Sequence, residues 1–398
     1  MTAGSGYRVL FVDDEDRVLH GLRRQMRAHR DRWDFRFATG GEEALRMLSE
    51  EDADVVVSDM RMPGMSGIEL LRAVRERWPG TLRIVLSGHT EHTESVTAVG
   101  CAHQFLQKPC PPEELVRTIE RCRGSASLVH TPSLRDAVSA ISSLPVVSDR
   151  YRELSAALED PGFDAAGIAR IVERDIGLTT KVLQLVNSAF FGMPRRVDSV
   201  REAVTLLGGS YLRAAVVSGS AFEALDAGSV CAPAMRSLWM SSMEIGRRAG
   251  LLACACGAGE RVAARSRLAG MLSLVGRAVL MHSYWQVYSA PLLCEGGRSG
   301  SLGGLERGVF GVEQQVVGGY ALGVWAFQED IIDAVTYQST PELHEPGGVA
   351  CPLEFVHLAR CCVTPGAYVE RLSASPVVLG RLGLTAEGLL EASGRVAA

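Results

Sequence analysis

The chain lacks the features that mark several large classes of protein. No apolar run approaches the roughly 18 residues that a transmembrane helix needs, so membrane insertion is not expected. The ten cysteines are irregularly spaced and form no CxxC pair, which argues against a disulfide framework and against the common zinc motifs. The formal net charge is -5 and the basic residues form no dense block, so nothing in the charge calls for nucleic acid or an acidic membrane.

Lysine is almost absent as well, because only Lys108 and Lys181 occur among the 41 basic residues. The N-terminal stretch has a short apolar run followed at once by acidic residues, which is not the pattern of a signal peptide. We therefore expect a cytoplasmic protein whose cysteines stay reduced. The length of 398 residues, 47% of them hydrophobic, is enough for two or three domains with a core in each.

The first 123 residues alternate short apolar runs with amphipathic segments. The runs predict strands at residues 8–12, 35–38, 54–58, 82–86 and 103–106. Apolar residues at helical spacing predict helices at 16–29, 41–49, 67–77, 91–99 and 112–122. Five such βα units predict an α/β domain with a doubly wound parallel sheet and helices on both faces.

The pattern changes after a small, polar stretch that we interpret as a linker at residues 124–133. Strand patterns vanish from residue 134 onward, and the remaining apolar residues follow a helical period. The chain is therefore predicted to join an α/β domain at 7–123 to an all-α domain at 134–345. Residues 346–398 are expected to form a helical extension of the second domain.

Polar residues follow several strands of the predicted sheet. Asp13 and Asp14 follow the first strand, and Asp59 follows the third. Strand ends of a parallel sheet meet at one edge, where three carboxylates would repel one another unless a cation such as Mg²⁺ were bound. Ser87 and Lys108, at the ends of the fourth and fifth strands, add a hydroxyl and an ammonium. This set suits transfer of a phosphoryl group to a carboxylate, and Asp59 is the best candidate for the nucleophile.

The stretches "VDD", "SDMRMPGMSGIELL", "LSGH" and "KP" stand in the order and at the intervals of a known family. Residues 7–123 resemble the receiver domain of two-component response regulators. The resemblance implies that a sensor histidine kinase phosphorylates Asp59, that Ser87 and Phe105 are switch residues, and that Lys108 is the ion-pair partner. It also implies a cis peptide bond before Pro109 and a Mg²⁺ site formed by Asp13, Asp14, Asp59 and the backbone carbonyl of Arg61.

Residues 134–345 resemble the HDOD family, an output domain related to HD-type phosphohydrolases, chiefly through "NSAFFG" and "AVTLLG". In active HD enzymes, a His-Asp pair binds the catalytic metal, and the corresponding stretch here is "GMLSLVGR". By this resemblance Ser273 stands at the His position and Leu274 at the Asp position, and leucine cannot bind a cation. The other degenerate ligand positions are Ser241, Gln338, Ser339 and Arg360. We therefore expect that the chain is not an enzyme.

Three alternatives for the second domain stay open. It could hydrolyse a cyclic dinucleotide with unusual metal ligands, or bind a nucleotide without cleaving it. It could also bind DNA, because residues 165–187 have helix-turn-helix spacing. The second helix of that segment, however, offers one cation, Lys181, among apolar residues, which favours buried packing and makes nucleic acid an unexpected partner. The preferred hypothesis is a response regulator that signals to another protein, whose identity, like any homodimer, the sequence does not specify.

Overall fold

The computed structural model describes most of the chain. The described residues are 7–88, 101–127, 129, 131–141, 144, 146–159, 164–187, 196–217, 224–225, 231–293, 302–344, 350–363, 369, 371–385 and 388–389. The helix predicted at 91–99 lies outside them. Within these ranges no helix is both long and apolar enough to cross a membrane.

The N-terminal part is a five-stranded parallel sheet with the order β2-β1-β3-β4-β5. Its strands are β1 Tyr7–Val12, β2 Trp33–Ala38, β3 Val55–Asp59, β4 Leu82–Ser87 and β5 Gln104–Gln107. Each predicted strand is therefore present, within two residues of its expected bounds. The central strands are nearly continuous apolar runs because both faces of a parallel sheet are covered.

Helices pack on both faces of this sheet. They are α1 Asp16–Gln25, α2 Gly41–Glu50, α3 Gly67–Arg77 and α4 Pro112–Ser127, and a 3₁₀ turn, Met26–His29, extends α1. The helix predicted to end at residue 122 continues to Ser127 through Gly124, and no proline interrupts it before Pro132. Part of the stretch predicted to be a linker is therefore helical.

The described residues from 131 onward are mostly helical. The first of these helices are α5 Pro132–Ala140, α6 Ser148–Glu159, α7 Ala165–Val172, α8 Ile176–Val186, α9 Val200–Val217, α10 Ala232–Ala255, α11 Glu260–Leu272 and α12 Val275–Ser283. They are followed by α13 Trp285–Leu293, α14 Leu302–Phe310, α15 Gln314–Val324, α16 Glu329–Thr336, α17 Pro352–Cys362 and α18 Pro376–Leu382.

The prediction that strands vanish after residue 134 is wrong at one place. Strand β6 Val146–Val147 pairs in parallel with β7 Ala224–Leu225. Strands of two residues are too short to show an alternating pattern, so the sequence gives no signal for them.

The two parts of the chain share one continuous apolar core. Val9 and Phe11 on one face of the sheet belong to the same cluster of buried residues as Ile119 of α4, Leu134 and residues of the helices that follow. A second cluster, which contains Leu10 and Val56, fills the opposite face of the sheet. One face of the sheet is therefore buried together with residues of the helical part.

A buried polar network joins the two parts next to this core. The Arg83 guanidinium of β4 donates to the carbonyl of Ser139 at 2.8 Å. The His103 ring accepts from the Arg83 backbone N–H at Nδ1 (3.0 Å), which leaves Nε2–H to donate to the same Ser139 carbonyl (2.8 Å). The Ser139 hydroxyl is 3.0 Å from the Tyr320 hydroxyl of α15. Strand β4 is thus connected to both α5 and α15.

Candidate functional site

The carboxyl edge of the sheet is arranged around Asp59, the last residue of β3. The next turn brings the chain back so closely that a Cβ on Gly67 would lie 1.9 Å from the Asp59 carbonyl oxygen. Only glycine fits there. Helix α3 then begins with a capping box, in which Glu69 N–H donates to the Ser66 hydroxyl and Ser66 N–H donates to the Glu69 carboxylate. These local interactions fix the loop that follows Asp59.

The Lys108 ammonium links two of the predicted carboxylates. Its Nζ lies 2.5 Å from Asp59 Oδ1 and 2.8 Å from Asp13 Oδ2. Asp13 is buried and its other oxygen accepts from the Glu15 backbone N–H at 2.9 Å. The peptide bond between Lys108 and Pro109 is cis, as the resemblance implied. Residues that are up to 95 positions apart in sequence thus converge on one ammonium.

Burial affects the charges in this group. Burial raises the pKa of Asp59, and the nearby Asp13 acts in the same direction, while the bond from Lys108 opposes both. Burial alone would lower the pKa of Lys108, but its bonds to Asp13 and Asp59 outweigh this, so that the pKa of Lys108 is raised. The ammonium is therefore held in its charged form against two carboxylates.

The remaining predicted site residues of the sheet domain differ in how far they are buried. Ser87 is buried at the end of β4, its hydroxyl donates to the Gly88 carbonyl (3.2 Å), and its own carbonyl accepts from Lys108 N–H (2.8 Å). Phe105 on β5 is partly buried between the two core clusters. Asp14 and Arg61 are both exposed, in the loops that follow β1 and β3.

The donor set fits Mg²⁺. Among the described residues, no three His, Cys, Asp or Glu side chains are clustered closely enough to form a metal site by themselves. Mg²⁺ commonly needs only one or two carboxylates, with waters and phosphate oxygens as its other ligands. Asp13 and Asp59 supply two carboxylates side by side, since both contact the same ammonium.

The degenerate HD positions also come together, but as a network of neutral and cationic groups. Ser273, Leu274, Gln338 and Arg360 are all buried. The Gln338 amide nitrogen donates to the Ser273 carbonyl at 2.8 Å, and the Arg360 guanidinium donates to the Gln338 amide oxygen at 2.8 Å. Three positions that the HD resemblance singled out are therefore neighbours in space, with a guanidinium among them.

Two further residues belong to this network and were not predicted. Gln314, the first residue of α15, donates to the Ser273 carbonyl at 3.2 Å. His357 donates through Nδ1 to the Gln338 carbonyl (2.8 Å) and accepts at Nε2 from Ser375 N–H (2.9 Å), and burial lowers its pKa. Both ring nitrogens are thus in use. An isolated histidine on a helix gives no sequence signal for such a role.

The other predicted positions of the helical part have different surroundings. Ser241 donates to the carbonyl of Ser237 in its own helix, and Ser339 is partly exposed. The helix-turn-helix segment forms α7 and α8 as its spacing predicts, but every residue of α8 except Gln184 is buried. Lys181 is among the buried residues. Helix α8 therefore has no exposed face that could enter a DNA groove.

Models of two known protein families match the two parts of the chain. The model of the response regulator receiver domain matches residues 9–120, and the model of the HDOD domain matches residues 144–341. The first match contains the Asp59 group, and the second contains Ser273 and Gln338.

Individual relatives match more limited regions. The chain is 38% identical over 117 residues to the hydrogenase transcriptional regulatory protein HoxA of Cupriavidus necator, a match that covers 28% of this chain and 23% of HoxA. It is 32% identical over 131 residues to the transcriptional regulatory protein TrcR of Mycobacterium tuberculosis, covering 33% of this chain and 50% of TrcR. The chain thus spans half or less of the length of these relatives.

Among solved structures, the MmoQ response regulator of Methylococcus capsulatus is similar to 63% of this chain and 97% of its own, with 23% identity and a TM-score of 0.46. The two family matches follow one another without overlap. The chain therefore belongs to the response regulators that carry a receiver domain followed by an HDOD domain.

Proposed function

We propose that Asp59 accepts a phosphoryl group from a sensor histidine kinase and that the HDOD domain passes the signal to another protein without catalysis. The observation that carries the proposal is the Lys108 ammonium bound to both Asp59 and Asp13. This arrangement places a cation directly beside the Asp59 carboxylate at the end of β3, which is the proposed nucleophile. The receiver is proposed to occupy residues 7–123, and the helical output unit residues 134–345 with an extension at 346–398.

The proposed reaction is the displacement of a leaving group from phosphorus. A carboxylate oxygen of Asp59 forms the new O–P bond, and the bond from phosphorus to the donor's leaving group breaks. Lys108 offsets negative charge on the transferring oxygens. Mg²⁺, held by Asp13 and Asp59 together with Asp14 and the Arg61 carbonyl, would supply further positive charge when bound. Ser87 and Phe105, on neighbouring strands, are the residues proposed to respond to the new group.

Acetyl phosphate tests the acceptor without requiring the cognate kinase. The full chain incubated with acetyl phosphate and Mg²⁺ should give one retarded band in Phos-tag electrophoresis. Asp59→Asn should abolish the band, because the amide is a far weaker nucleophile. Asp52→Asn, which changes an exposed carboxylate on the same domain, is the matched control and should leave the band unchanged. A band that persists in Asp59→Asn would refute the assignment.

The network around Ser273 supports a noncatalytic output domain. A hydrolytic metal centre needs His and Asp side chains that converge on a cation. Here Leu274 is buried at one such position, and Arg360 brings a positive charge to a second. The purified chain is expected to contain less than stoichiometric Fe, Mn or Zn, as measured by mass spectrometry of its metals. Stoichiometric metal that is lost on Gln338→Ala would instead favour the phosphodiesterase alternative.

A further inference from the structure

Helix α15 connects the receiver domain to the degenerate HD network. At its C-terminal end, the side-chain amide of Gln104 donates to the carbonyls of Gly323 (3.3 Å) and Val324 (3.1 Å). The last carbonyls of a helix have no intrahelical donor. The Gly323 carbonyl also accepts from the Ala326 N–H just beyond the helix (3.2 Å), and the Gln104 amide adds a donor from the receiver at this end. Gln104 is buried on β5, and its oxygen accepts from Arg121 of α4 at 3.5 Å. The receiver thus holds one end of α15.

The opposite end of α15 lies on the segment that contains Ser273 and Leu274, residues 268–280, which we call the Ser273 segment. Gln314 donates to the Ser273 carbonyl. A Cβ on Gly276 would lie 1.8 Å from the Gln314 carbonyl oxygen and 2.5 Å from the Gly318 nitrogen. The backbones of α12 and α15 are therefore in direct contact, so neither helix can shift without moving the other.

Helix α15 is suited to act as a rigid connection between these two contacts. Its 11 residues span about 16 Å. Nine of them are buried, which restricts bending of the helix. Strand β5 carries Gln104 at one end and continues directly into Lys108, which binds Asp59. A chain of packed and hydrogen-bonded groups therefore runs from Asp59 to Ser273.

We propose that Gln104 is a positioning residue that couples the Asp59 pocket, through α15, to the Ser273 segment. This inference rests on the proposed function. Phosphorylation alters the contacts of Lys108 at the end of β5, and the Gln104 amide transmits the resulting shift of the strand to the end of α15. Helix α15 moves as a unit and displaces α12 through its contact at Gly276. The degenerate HD site would then be the part of the output domain that reports the state of the receiver.

Hydrogen–deuterium exchange of the full chain, with and without beryllofluoride and Mg²⁺, tests this coupling. In the unmodified sequence, peptides around Asp59, from α15 and from the Ser273 segment should each change their exchange rate, by about fivefold or more for a coupling of ordinary strength. Gln104→Met keeps the side-chain length but removes the amide. It should retain the response around Asp59 and lose the response in α15 and the Ser273 segment.

Two further variants make the test independent of a single substitution. Gln314→Met removes the amide that donates to the Ser273 carbonyl but leaves the backbone contact at Gly276, so it should preserve the response in α15 and reduce the response in the Ser273 segment. Gln315→Met is the matched control on the same helix. Among the contacts described, the Gln315 amide bonds only to the Glu313 carboxylate two residues earlier, so this variant should preserve every response. Circular dichroism melting establishes that each variant is folded.

The outcomes separate this inference from the function on which it rests. A response around Asp59 without one in α15, or an α15 response that survives Gln104→Met, overturns the coupling and leaves phosphorylation of Asp59 standing. The absence of any response around Asp59 in the unmodified chain overturns the proposed function and the coupling with it. Loss of the distal responses alone in Gln104→Met supports the coupling.

Discussion

The burial of Lys181 in α8 leads to a quantitative prediction about stability. The side chain is almost completely buried, and removal from water lowers its pKa from 10.5 to about 7, with a smaller opposing effect of Cys101 and a further lowering by Arg75. His103 of the receiver lies close enough for its own pKa to be lowered by Lys181. Folding therefore places an ammonium where its charged form is strongly disfavoured.

The size and sign of the effect follow from the two pKa values. Between about pH 7 and pH 10.5 the unfolded chain holds a proton that the folded chain has lost, so the free energy of unfolding rises with pH in this window. Each pH unit contributes about 1.4 kcal/mol. At about pH 7.5, three units below the unfolded pKa, the lysine costs the folded state at most about 4 kcal/mol. Lys181→Met removes the charge and keeps an unbranched apolar side chain.

Urea denaturation at a series of pH values measures this effect. At about pH 7.5 the variant is expected to be more stable than the unmodified chain by about 2–4 kcal/mol, and the difference should shrink as the pH approaches 10.5. Arg170→Met, which removes an exposed cation from the neighbouring helix α7, is the control and should leave the pH dependence unchanged. Equal stability of Lys181→Met and the unmodified chain at every pH would refute the reasoning.

Two other substitutions test the packing and the buried network. Gly276→Ala places a Cβ 1.8 Å from the Gln314 carbonyl oxygen and should lower the free energy of unfolding by about 2–3 kcal/mol. Gly124→Ala is the control in α4, where the new Cβ would have no atom within 4 Å, and it should raise the free energy of unfolding by about 0.5–1 kcal/mol. Equal effects in urea denaturation would show that α12 and α15 are not in close contact. Arg83→Met removes the guanidinium donor to the Ser139 carbonyl and should lower the thermal midpoint, with a loss of about 2 kcal/mol or more. An unchanged midpoint would mean that the network adds nothing to stability.

The sequence predicts the receiver fold and the core of its site well, for physical reasons. The strands are apolar runs separated by amphipathic helices, and parallel topology places their carboxyl ends together, so the meeting of Asp13, Asp59 and Lys108 follows from strand order alone. The exposed positions of Asp14 and Arg61 depend on loop geometry, which local patterns do not specify. The Mg²⁺ site and the roles of Ser87 and Phe105 stay predictions.

The connection between the domains could not be predicted in the same way. Gln104 and Gly323 are 219 positions apart, and neither was a candidate site residue. In the sequence, a glutamine that will be buried in a strand cannot be distinguished from any other polar residue that interrupts an apolar run. The same holds for His103 and Ser139, whose interaction depends on how α5 lies against β4. Such contacts arise from tertiary packing and leave no periodic signal in the sequence.

The central claim, that Asp59 is the phosphoacceptor, is tested most directly by chemical mapping. The chain treated with acetyl phosphate and Mg²⁺ is reduced with borohydride, which converts an aspartyl phosphate into homoserine, and the peptides are sequenced by mass spectrometry. The account predicts homoserine at position 59 and unmodified aspartate at Asp13 and Asp14. Homoserine at another aspartate, or at none while the chain carries phosphate, would contradict it.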